Sequence, residues 1–102
     1  LSRVVAMAEA DARVRALLLS GSLGRGDGDR WSDLDLIAVV APAEHAGFAA
    51  AARSWLEHAA EVVHAFRPVP GAPLQSVITA EWVRCDLTVT VPGHVPGARD
   101  SL

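Results

Sequence analysis

Three aspartates and a Gly-Ser pair carry the chemistry legible in this chain: Asp33 and Asp35 in a Ser-Asp-Leu-Asp-Leu run, Asp86 in an Arg-Cys-Asp-Leu run, and Gly21-Ser22. On an extended strand, residues two apart point to the same face, so Asp33 and Asp35 stand side by side with Cα atoms roughly 6.6 Å apart. Carboxylates aimed at one place repel unless a cation lies between them. Asp86 falls in the middle of a long alternating strand, where an acid is costly without a partner or a metal. Gly21-Ser22 ends a short apolar run, and the backbone N–H groups of such a turn can hold an anion. Together these residues point to a metal-phosphate site.

The elements that must position them follow from periodicity. Residues 2–15 read as a helix, with Ser2 as cap and Val4, Val5, Ala8 and Ala12 at helical spacing. Residues 17–20 form a short buried strand, and 21–32 a Gly/Ser/Asp/Arg segment with at most one turn of helix. Residues 34–40 are nearly all apolar, as in a central strand covered on both faces, with Asp33 at its start. Pro42 opens a helix over 43–60, with Phe48, Ala52, Trp55, Leu56 and Ala59 as its buried stripe. Residues 61–66 make a third strand, and three prolines turn 67–73 into a loop. Residues 74–79 and 82–91 are expected to pair as an antiparallel hairpin. In the last strand Val83, Cys85, Leu87, Val89 and Val91 share one face, and Trp82, Arg84, Asp86, Thr88 and Thr90 the other. The expected class is α/β (α+β), a small mixed sheet of four or five strands with helices packed mainly on one face.

Composition bounds the partners. The chain has 102 residues, enough for one domain around a single core, with a net charge of -3 and a single cysteine. One cysteine excludes an internal disulfide and fits a reducing, cytoplasmic setting. All nine basic residues are arginines spread along the chain, so no basic patch marks a polynucleotide-binding face. No run of about 18 apolar residues is present to span a membrane. The chain starts Leu1-Ser2-Arg3 and ends in a turn-rich stretch, PGHVPGARDSL. The expected organisation is a domain over 1–91 and a linker-like tail over 92–102, leading to a missing helical domain.

A Gly-Ser turn after a strand, a spacer of ten residues, an Asp-Leu-Asp-Leu strand and a distant Cys-Asp-Leu strand resemble the nucleotidyltransferase superfamily related to DNA polymerase beta. The wording GSLGRGDGDRWSDLDL is most similar to the bacterial branch holding aminoglycoside and minimal nucleotidyltransferases. The resemblance covers roughly residues 17–91 and implies the nucleotidyltransferase fold. It implies an enzyme that moves NMP from an NTP to a hydroxyl of a small molecule or protein. Two Mg²⁺ ions about 3.5–4 Å apart suit that reaction, one at the attacking oxygen and one at the leaving pyrophosphate. The implied metal ligands and catalytic groups are Asp33, Asp35 and Asp86, with Asp86 on the acceptor side and also a general base. Gly21, Ser22 and Arg25 are the implied nucleotide-binding residues, with Gly24 and Gly26 allowing close approach. Gly24 stands where the family commonly has Ala.

Other readings stand beside these. A minimal nucleotidyltransferase antitoxin that binds a helical partner, or a fragment that binds nucleotide without turnover, fits the same residues. Asp33 and Asp35 also read as a turn cap and a surface partner for an Arg, Asp86 as an ion pair with Arg84 or Arg67, and Arg25 as a solvated loop charge. Trp31 reads as a loop plug or a stacking ring, and Asp27 and Asp29 as solvated. His45, His58, His64 and His94 show no metal-ligand spacing, and Cys85 reads as a small core residue.

Overall fold

The computed structural model describes residues 2–20 and 33–93, the side chains of Ser2, Ser20 and Asp33 excepted. The elements in order are α1 (Ser2–Ala10), β1 (Val14–Ser20), β2 (Asp33–Val40), a 3-10 turn (Pro42–Glu44), α2 (His45–Ala50), α3 (Ala52–Glu57), β3 (Val62–Phe66), β4 (Leu74–Thr79) and β5 (Arg84–Thr90). They form an α+β fold whose sheet has the order β1-β2-β5-β4-β3. β2 and β5 run parallel, and the other neighbours are antiparallel.

The core lies on one face of the sheet. Leu36, Ala38 and Val40 from β2, Val77 from β4, and Cys85, Leu87 and Val89 from β5 pack against Val4, Ala8, Phe48, Ala52, Trp55 and Leu56 from the three helices. Phe48 and Trp55 meet at a tilt, with ring centroids 5.5 Å apart. Because side chains alternate along a strand, Asp35 and Asp86 stand on the face away from these helices. Residues 36–40 of β2 are all buried, in keeping with an inner strand.

The boundaries differ most from expectation in three places, each for a local reason. The first helix stops at Ala10 rather than 15. Asp11 Oδ1 accepts the Arg13 backbone N–H at 3.0 Å, and the Val14 N–H reaches the Asp11 carbonyl at 3.0 Å. That local turn takes the groups the helix would have used, and β1 starts four residues after α1 ends. The helix expected over 43–60 becomes the 3-10 turn, α2 and α3. At Ala51 ψ flattens to 4°, and its N–H is shared between the Gly47 and Phe48 carbonyls, both at 3.1 Å. The last strand starts at Arg84 rather than 82, because Trp82 adopts φ 64° in the β4–β5 turn. There the Thr79 N–H bonds the Val83 carbonyl at 3.0 Å, and the Trp82 N–H bonds the Thr79 carbonyl at 2.9 Å. The hairpin itself and the span of β4 are as expected. Among the described residues, no helix is long and apolar enough to cross a membrane.

Candidate functional site

Strand register assembles the site. β2 and β5 align Asp35 with Asp86 and Asp33 with Arg84. Adjacent strands lie about 4.8 Å apart, so the Asp35 and Asp86 carboxylates stand beside each other on one face. Their row continues across all five strands, through Ser20 on β1, Ser76 on β4 and Phe66 on β3. The second row along aligns Asp33, Arg84, Ile78 and His64.

Asp86 is tied down. The buried Ser76 hydroxyl donates to Asp86 Oδ1 at 2.6 Å, and Arg84 Nε donates to the same oxygen at 3.0 Å. The ion pair with Arg84 is thus formed, as one reading of the sequence has it, whereas Arg67 turns away and donates through Nη2 to the Ala49 carbonyl at 2.9 Å. Arg84 also lies over the Phe66 ring, 5.3 Å from its centroid, and Phe66 stacks on His64 at 5.4 Å. On the opposite face Cys85 is buried, and its thiol is pushed up to about 12, first by burial and then by the negative charges of Asp86 and Asp35. A thiol so held is neutral at physiological pH and is not a nucleophile.

Of the residues singled out from sequence, Asp35 and Asp86 are brought together, and Asp33 lies on β2 two register positions away. The Asp33 side chain lies outside the described residues, as do Gly21, Ser22, Gly24, Arg25, Gly26, Asp27, Asp29, Trp31 and His94. Chain order attaches Gly21 directly to Ser20, whose register partner is Asp35. His45 donates through Nε2 to the Val89 carbonyl at 2.9 Å and His58 through Nδ1 to the Ser54 carbonyl at 2.7 Å, so both serve the backbone.

Sequence reasoning misses Ser76 and Phe66. The signal for Ser76 was a hydroxyl on a strand expected inside the sheet, which needs a partner once buried. Nothing local marks Phe66, since its place beside Arg84 depends on the β3–β4 and β4–β5 registers.

Among the described residues there is no cluster of three or more His, Cys, Asp or Glu side chains placed to hold a metal. The pair Asp35 and Asp86 offers oxygen donors alone. That donor set suits Mg²⁺, which takes one or two carboxylates and completes its shell with water and phosphate oxygens. No protein-family model matches the chain, and no curated protein matches it.

Proposed function

We propose that the chain is a nucleotidyltransferase-fold domain that transfers NMP from an NTP to a hydroxyl on a small molecule or protein. The observation that carries this reading is the parallel register that sets Asp35 beside Asp86, with Asp33 two register pairs away. The resemblance in motif order, from Gly21-Ser22 through Asp33 and Asp35 to Asp86, supports it independently of the register. Asp33, Asp35 and Asp86 are the residues that would hold two Mg²⁺ ions. When bound, such ions neutralise the triphosphate and lower the pKa of the attacking hydroxyl.

The chain's own groups have separate tasks. Gly21, Ser22 and Arg25 hold the terminal phosphates. Asp86 accepts the acceptor's hydroxyl proton as the oxygen bonds to the α-phosphorus and the bond to pyrophosphate breaks. Ser76 keeps Asp86 aimed by occupying one lone pair of Oδ1. The acceptor approaches over the face of the sheet that the helices leave uncovered. With a net charge of -3 and dispersed arginines, the acceptor is a small molecule or a protein rather than a long polynucleotide.

The test is incubation with Mg²⁺ and each labelled NTP in the presence of hydroxyl acceptors, aminoglycosides and proteins among them. Transfer of label is expected, with Asp35→Asn and Asp86→Asn each lowering kcat/KM by at least ~100-fold while the fold persists. A folded protein that neither binds NTP with Mg²⁺ nor transfers label would sink the proposal, and unchanged turnover in either variant would remove that residue from the mechanism.

A further inference from the structure

Arg84 is a cation placed at a site read as a cation site. Its Nε donates to Asp86 Oδ1, its side chain is 41% exposed against 21% for Asp86, and its register partner across the parallel pair is Asp33. The guanidinium therefore lies against Asp86, beside which Asp35 stands in register, and offsets the charge of that pair. It has a second resting place as well. The Phe66 ring lies 5.3 Å from Cζ and is itself backed by His64, a contact that does not depend on Asp86. Ser76 holds Asp86 from the adjacent strand, so the carboxylate keeps its aim when the arginine leaves.

From these contacts we infer that Arg84 is a positioning residue: a built-in counter-cation that occupies Asp86 until a divalent cation displaces it, after which Phe66 retains the arginine beside the site. The inference rests on the metal reading above and adds a residue that competes with the metal. Two consequences separate it from a purely structural ion pair. A divalent ion and a guanidinium repel, so removing the arginine tightens metal binding. Without metal, the same removal exposes the carboxylates to one another and lowers stability.

The experiment measures Mn²⁺ binding by titration calorimetry, and melting with and without Mg²⁺, for the natural chain, Arg84→Met and Arg84→Lys. Methionine keeps an apolar stem over Phe66 and loses the charge, whereas lysine keeps the charge. Arg84→Met is expected to bind Mn²⁺ about fivefold tighter. It is also expected to melt lower in chelator and to gain more from Mg²⁺ than the natural chain does. Arg84→Lys is expected to return both properties toward the natural values. Equal or weaker Mn²⁺ binding by Arg84→Met, beside clear binding by the natural chain, overturns the role of Arg84 and leaves the metal reading standing. Absence of binding by all three proteins overturns the metal reading and this inference with it.

Discussion

At the scale of single residues, the orientation of Asp86 is set from two sides by groups that differ in what they can give up. Ser76 is fully buried and cannot turn to water, while Arg84 is partly exposed and can. Among the described residues every buried side-chain nitrogen or oxygen has a hydrogen-bond partner, so the Ser76 hydroxyl is part of a satisfied set. Removing it leaves a carboxylate short of a charge-assisted bond, at a cost of ~1–3 kcal/mol. Ser76→Ala is accordingly expected to lower the unfolding free energy by that amount, read from denaturant midpoints at an unchanged m-value. A Ser76→Ala midpoint equal to that of the natural chain would show that the bond contributes nothing and that Asp86 is held by Arg84 alone. Asp33 and Asp35 were legible as a pair because strand periodicity is local. The partnership of Asp35 with Asp86 was implied by the resemblance in motif order but not by periodicity, because it depends on which strands become neighbours and in which register.

At the scale of elements, the strands were more legible than the helices, and the reason is the strength of the local signal. β4 matches its expected span, and β3 differs from its expectation by one residue, since prolines and polar turns bracket both. α1 was drawn too long because Ala12 continues the helical spacing of Val4, Val5 and Ala8, while the competing signal was the Asp11 carboxylate capturing a nearby N–H. The β4–β5 turn holds the least favourable backbone described. Trp82 takes a left-handed conformation that costs a residue with a Cβ roughly 1 kcal/mol, and the residue is 62% exposed, so little burial offsets it. Trp82→Gly removes that strain without disturbing the core and is expected to raise stability by ~0.5–1 kcal/mol. Thermal melts of the two proteins decide it, and a lower melting temperature for Trp82→Gly would mean that the indole makes a contribution its exposure hides.

At the scale of the whole molecule, one ionic cluster ties together parts of the chain that the sheet does not. Asp11, just after α1, bonds Arg13 through Nε at 3.0 Å and through Nη2 at 2.8 Å, and Trp55 Nε1 on α3 donates to the same carboxylate at 3.1 Å. Arg13 in turn lies 4.8 Å from the centroid of Phe48 on α2. The Arg13 hydrogen bonds, working against desolvation and helped by the Trp55 bond, hold the Asp11 carboxyl down at about 2 from its ordinary 3.8. The pairing raises the pKa of Arg13 in return. A carboxyl with a depressed folded-state pKa binds protons more readily in the unfolded chain. Its stabilisation is therefore complete above about pH 4 and is lost as pH falls from there toward 2. With the Asp11 side chain 13% exposed and that of Arg13 38%, the amount at stake is ~1–2 kcal/mol after screening. Asp11→Asn keeps an oxygen for the Arg13 backbone N–H but turns an amide nitrogen toward the indole donor, and loses the charge. It is expected to be less stable than the natural chain at pH 7 by that amount, with the gap closing between pH 4 and 2, as read from urea unfolding across the range. A gap that stays constant down to pH 2 would assign the stabilisation to geometry at the end of α1, since only the ionised carboxylate makes it depend on pH in that window.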